Sequence, residues 1–274
     1  MAAAAIIAAC CSLAACGGTS SSSENKLGTM TSGTIKFAFR SDDKPVSFVK
    51  DGKPTGFMIE LTRAMAKKMG VTADYVATDF ASMLPNVRNH QYDSAAFGVL
   101  MTPKREKVVD FTTPVKYSQA RLISRKAARV DSIAQANGKT VAITVGSALI
   151  PVLQKKTPGV QVKQFPNVAA SANALKAGQV DGLFTGVATT ASLLKQHPDF
   201  TATQSVTTGS SAFPVAKDKH ELKKALDSAL AAVIADGTYT ALFDKWHPKG
   251  LQITQDMLNR YPGMKQRPGS THQG

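Results

Sequence analysis

Cysteine is confined to the start of this chain: Cys10, Cys11 and Cys16 are the only three, so nothing from Gly17 to Gly274 can form a disulfide or offer a thiolate to a metal. The folded body must therefore be held by its apolar core. The roughly 230 residues from Gly33 to about Pro262 suffice for that, and suit two lobes better than one. Acidic residues are also short, with 19 Asp and Glu against 33 Lys and Arg, a formal net charge of +14. Long apolar runs are missing, and after residue 15 no stretch approaches the about 20 apolar residues a bilayer span requires. The histidines (His90, His197, His220, His247 and His272) are scattered, without His-Glu-x-x-His spacing. There is no Gly-x-Ser-x-Gly elbow, phosphate loop or dinucleotide fingerprint. No metal or other cofactor is expected.

What the chain does have begins with an export signal. Residues 1–15 are almost entirely Ala, Ile, Leu and Cys and carry no charged side chain. They end in Leu13-Ala14-Ala15-Cys16, followed by Gly17-Gly18 and a polar run to Glu24. An apolar stretch this short, closed by small residues, reads as a cleaved signal, although no Lys or Arg precedes it. Leu-Ala-Ala-Cys resembles the bacterial lipobox, so Cys16 is the expected lipidation site; Ile7-Ala8-Ala9-Cys10 fits the same pattern with less apolar sequence before it. Residues 16–32, rich in Ser, Thr and Gly, are expected to tether the fold to the lipid. Export makes nucleic acid an unexpected partner despite the charge. A basic surface near anionic lipid or wall polymer, or a field that favours anionic solutes, is expected instead.

Strand and helix signals then alternate. Ile35, Phe37 and Phe39 alternate along a strand from Thr34 to Arg40, and Met58, Leu61, Met65 and Met69 form a helical stripe stopped by Gly70. A strand around Ala73–Val76, a short helix bearing Phe80, Met83, Leu84 and Val87, and an apolar strand Ser94 to Val99 follow. Thr102-Pro103 pairs a capping hydroxyl with a proline at the first helical position. After about Gln119 the pattern restarts: strand Thr140 to Val145, a helix opened by Gly146-Ser147, a helix Val168–Ala177, strand Val180 to Phe184, and a helix from about Thr185 to Lys195. The last clear helix runs from Glu221 to Asp236, and beyond Pro248 no element is evident. The closing Pro262 to Gly274 stretch is expected to be disordered. Alternation of this kind implies an α/β fold with mainly parallel sheets.

In order and spacing, several segments together resemble family 3 of the bacterial extracellular solute-binding proteins, the amino-acid receptors of ABC importers. They are Asp51-Gly52-Lys53 with Gly56-Phe57-Met58-Ile59-Glu60-Leu61, Tyr92-Asp93, Met101 to Lys107 running into Asp110-Phe111-Thr112-Thr113-Pro114, Gly138-Lys139-Thr140-Val141 to Gly146-Ser147, Gly178 to Gly182, Ala235 to Tyr239, and Lys245-Trp246. The resemblance implies a two-lobe, periplasmic-binding-protein-like fold of type II joined by two crossing hinge strands. By similarity, lobe one is about 33–118 plus 214–250, lobe two is about 119–213, and 251–274 is a partly disordered C-terminal extension. It further implies a small solute, an amino acid or related carboxylate, held between the lobes, and the membrane subunits of an ABC importer as partners. The protein would act in the periplasm or at the outer face of the cell membrane, without chemistry of its own. A ligand sensor, or a dehydratase or hydrolase on the same fold, are the competing readings.

The resemblance also names residues. The Arg of its motif, Arg105 here, grips the ligand α-carboxylate; a guanidinium fork suits that group, and a cation in the first turn of a helix gains purpose from a bound anion. Gly98 and Leu100 stand where the family offers a backbone carbonyl and a small hydroxyl residue, and Leu100 has no hydroxyl. Ser147 and Ala148 are expected to turn backbone amides toward the carboxylate. An Asp that pairs with the ligand ammonium in the family falls on Gly186. Either Asp42 or Asp43 replaces it, or the ligand lacks an α-amino group. Phe80 and Phe48 are candidate walls, Asp43 stands where an aromatic is common, Arg40 is placed to meet an acidic ligand group, and Trp246 reads as core.

Overall fold

A computed structural model describes residues 25–264 as two α/β lobes. Cys16, the expected signal and the remainder of the chain lie outside the described residues. In the first lobe the parallel strands Thr72–Ala77, Thr34–Phe39 and Ser94–Ala95 lie side by side. Ile35, Phe37 and Phe39 point into one apolar cluster and Ala38 into another, so both faces of this sheet are covered. The helix Phe57–Lys68 buries the expected Met58, Leu61 and Met65. Its entry requires Gly56, which has φ 117°; a Cβ there would stand 2.7 Å from the Val46 carbonyl oxygen.

The apolar run Ser94 to Val99 is not one strand. It pairs as Ser94–Ala95 in the first sheet, then leaves it, and Val99–Leu100 pairs with Ala212 and Ser211. That partner is one of two long antiparallel strands, Lys116–Arg125 and Val206–Ala212, which run from lobe to lobe. Ser118 and Ser211 join their hydroxyls across this pair at 2.7 Å.

Beyond the crossing strands lies the second lobe, whose sheet places Gln161–Phe165, Thr140–Thr144 and Gly182–Gly186 next to Lys116–Arg125. Apolar clusters cover both of its faces, one around Leu122, Ile143 and Phe184 and one around Ile123, Leu175 and Leu183. The strand expected over Val180 to Phe184 starts two residues later because Asp181 is spent at its entrance, where its carboxylate accepts from the Thr140 amide at 2.9 Å. The following helix accordingly runs Val187–Gln196, with Gly186 as its N-cap.

Both ends of the described chain correct the sequence reading. Part of the expected tether is bound to the first lobe: Thr29 is buried, the Met30 amide donates to Asp93 at 2.8 Å, and Lys219 donates to the Gly28 carbonyl at 2.8 Å. At the other end, a short helix, Gln255–Arg260, follows Pro248. Ile253, Met257 and Met264 are buried in the main core of lobe one. Tyr261 donates to the Pro114 carbonyl at 2.9 Å, fixing this segment to the approach of a crossing strand. The extension is thus structured through Met264; 265–274 lie outside the described residues. Among the described residues no helix is long and apolar enough to cross a membrane.

Candidate functional site

The first lobe, the second lobe and the crossing strands enclose a cleft lined by Arg40, Asp43, Phe80, Gly98, Leu100, Arg105, Ser147, Ala148 and Gly186, which brings every residue singled out for ligand contact into one place except Phe48 and Asp42. Phe48 instead meets Trp246 edge to face at 5.7 Å, which makes both of them packing residues.

Arg105 follows Thr102, whose hydroxyl caps its amide at 3.3 Å. The helix itself is a single turn, Pro103–Glu106, too short for the helix dipole to explain the placement. What positions the guanidinium is a pair of carbonyls: Nη1 donates to Leu100 at 2.7 Å and Nη2 reaches across the cleft to Gly146 at 3.1 Å. It also lies over the Phe80 ring at 5.5 Å. Leu100 therefore contributes its backbone oxygen, with its side chain as apolar lining. Burial pushes the Arg105 pKa down to about 10, which leaves it a cation at neutral pH.

Opposite Arg105, the turn Gly146-Ser147-Ala148 differs in part from the expectation. The Ser147 amide donates to Thr144 at 3.1 Å and its hydroxyl accepts from the Leu149 amide at 3.2 Å. The helix starts only at Leu149, with Ala148 as its cap, so Ser147 organises the turn with its own amide already used. Gly146 takes φ 75°, and a Cβ on it would press on Ala81 of the other lobe at 3.2 Å.

The acids sit on the first-lobe wall. Asp43 is buried and accepts from Thr189 Oγ1 of the second lobe at 2.6 Å. Asp42 accepts from the Val168 amide at 2.9 Å, again from the second lobe, and pairs with Arg40 at 3.0 Å. Consecutive acids thus each carry a bond between lobes. Arg40 is buried against the rings of Phe80 and Phe97, at 5.9 and 6.0 Å. Gly186 opens on the cleft with ordinary backbone angles, and the one atom near a Cβ built there is the Gln119 carbonyl oxygen at 3.9 Å.

Sequence reasoning missed three contributors. Lys116, at the start of a crossing strand, lines the cleft and lies 5.8 Å from the centre of the Phe97 ring. Burial lowers its pKa and the charge of Asp43 raises it. Its stem passes over Gly98, where a Cβ would stand 2.9 Å from Lys116 Cε. Gly98 was singled out for its carbonyl; the signal that points to Lys116 is the missing side chain. Phe97, read as strand core, stacks edge-on with Phe80 at 5.4 Å and forms the aromatic floor. Finally, Leu251, Gln252, Thr254 and Met257 of the C-terminal segment extend the wall, and no periodicity marks so short an element.

Comparison with known proteins agrees with this architecture. The profile described as "Bacterial extracellular solute-binding proteins, family 3" matches residues 35–249. The ABC transporter arginine-binding protein 1 of Escherichia coli (strain K12) is 32% identical over 230 residues, 81% of this chain and 94% of that protein. Among solved structures, an ancestral arginine-binding protein bound to glutamine superposes with TM-score 0.75 at 29% identity, over 79% of this chain and 98% of the other. The ancestral amino acid-binding protein AncCDT-1, a precursor of cyclohexadienyl dehydratase, gives 0.73 at 27% identity over 79% and 96%. The wall segment after Gly250 lies beyond the family match. By sequence and by fold, this chain belongs to the bacterial extracellular solute-binding proteins, family 3.

Proposed function

We propose that this protein is the extracytoplasmic receptor of an ABC importer, that it takes an amino acid or related small carboxylate into the cleft, and that Cys16 anchors it by lipid to the outer face of the cell membrane. The observation that carries the reading is Arg105. Its guanidinium is held by a carbonyl from each lobe at the cleft, desolvated but still charged, which is the setting in which a carboxylate binds strongly and bidentately. A solute held there touches both lobes, so it stabilises their approach, and the closed form is what importer subunits recognise. Asp43 replaces the acid missing at Gly186 as partner of an ammonium. Phe80 forms an apolar wall, and Ser147 with Ala148 shapes the second-lobe side.

The reading includes no chemistry. Asp43 is the one carboxylate among the lining residues, and its hydrogen bond from Thr189 and burial fit it for holding a cation more than for exchanging protons with solvent. Likeness to a precursor of a dehydratase makes turnover the second reading to test.

A thermal-shift panel pairing each L-amino acid with its deaminated acid tests the proposal. A ligand at about 100 times its Kd adds roughly 2.7 kcal/mol, a shift of several degrees for a domain of this size. Arg105→Ala should abolish every shift while keeping the ligand-free midpoint. An unchanged response in that variant sinks the assigned site, and loss of substrate from the mixture signals an enzyme.

A further inference from the structure

We infer that the solute is an acidic amino acid, carrying a second carboxylate that Lys116 receives, and that a cationic amino acid is excluded. The inference rests on the receptor reading above and concerns the same cleft.

The charges on the lining decide it. Arg40, Arg105 and Lys116 face the cleft, with Asp43 as the single acid. Arg40 is neutralised by Asp42 beside it. Arg105, Lys116 and Asp43 remain, leaving one positive charge in excess. An amino dicarboxylate, with two negative charges and one positive, balances this set: α-carboxylate on Arg105, ammonium on Asp43, distal carboxylate on Lys116. A zwitterion with a neutral side chain adds no net charge, so with Asp43 shared between its ammonium and Lys116 the cleft keeps one positive charge in excess. A ligand with a guanidinium or ammonium side chain places a further cation beside two that are already desolvated.

Lys116 is built for such a task. Among the described residues it forms no salt bridge, although the charge of Asp43 acts on it; its Cε lies over Gly98 and its ammonium over the face of Phe97. A ring face compensates an ammonium only in part, and an anion completes it. The side chain starts on a crossing strand, where a ligand contact couples directly to the geometry between the lobes. The related proteins named for arginine share the fold, and the charge set of this cleft argues for a ligand of opposite side-chain charge.

The test is isothermal titration of the purified protein with L-glutamate, L-aspartate, L-glutamine, L-asparagine, L-arginine and the simple carboxylates pyruvate and lactate, repeated with Lys116→Gln and Lys116→Arg. Glutamate or aspartate should bind at least tenfold tighter than its amide, with arginine silent. Lys116→Gln should erase the preference for acid over amide, and Lys116→Arg should keep it. Equal binding of acid and amide, or binding of arginine, overturns the inference and leaves the receptor reading standing. So does binding of pyruvate or lactate with acidic amino acids silent. If no amino acid or carboxylate binds, the receptor reading itself fails. Should Lys116→Gln not fold, discrimination of acid from amide by the unmodified protein decides alone.

Discussion

Thr189 Oγ1 donates to Asp43 Oδ1 at 2.6 Å, and this bond joins a helix of the second lobe to the cleft wall of the first. Both residues are buried, so the bond forms out of water. A hydrogen bond to a charged group is worth about 1.5–3 kcal/mol. Thr189→Val keeps the shape and removes the donor, so it should favour separation of the lobes and weaken solute binding by about tenfold or more. Titration calorimetry reads the affinity and small-angle scattering reads the lobe separation. An unchanged Kd would show that this contact does not contribute to closure.

Gly186→Asp places an acid at the position where the resemblance to the family implies one. The backbone there, φ −62° and ψ 150°, suits any residue, and an Asp at a helix N-cap is favourable. The variant should melt at or slightly above the temperature of the parent. Its extra negative charge should lower affinity for an acidic amino acid by about tenfold or more, since an added unpaired charge in a desolvated cleft costs at least 1.4 kcal/mol. Neutral amino acids should gain. A stable variant with unaltered preference would mean that Gly186 does not face the ligand.

Affinity should depend on pH through Lys116. Burial lowers its pKa in the free protein, and a ligand carboxylate raises it again by pairing. The protonated form binds, so affinity is constant below the depressed value and falls as pH rises through it, earlier than for an ordinary lysine near about 10.4. Calorimetry in buffers of different ionisation heat should show proton uptake on binding in that range. Lys116→Gln should lose the early part of both effects and keep what Arg105, with its pKa lowered to about 10, and the ligand ammonium contribute.

Met257 connects the C-terminal wall to the core and is 2% exposed. Met257→Ala should cost about 2–5 kcal/mol, as buried Met or Leu to Ala changes do. A lowered urea midpoint with an unchanged slope checks it. Stability within experimental error of the parent would show that the segment after Pro248 is an ornament to the fold.

The order of elements was legible because it is written in local patterns. Alternating Ile35, Phe37 and Phe39, the Met58 to Met65 stripe and the Thr102 cap appear in the structure where the sequence placed them, because side-chain direction follows from strand and helix periods alone. The resemblance added which loops meet, and Arg105, Asp43 and Phe80 do line one cleft.

Other features depended on partners far away in sequence. Lys116 looks solvated in any local window, and only the approach of Phe97 and Gly98, in the link between the strands Ser94–Ala95 and Val99–Leu100, turns it into the cleft. Phe48 fits a ligand wall by composition, and Trp246 claimed it. The helix Gln255–Arg260 is too short to stand by its own propensity; it exists because Met257 and Tyr261 have the first lobe to pack against. The sequence by itself determined the periodic elements and the excess of positive charge, since these need no neighbour, and the resemblance implied the missing acid at Gly186. Only the tertiary structure decided which of the many cations line the cleft, because desolvation and charge pairing are set by what the fold brings within a few ångströms.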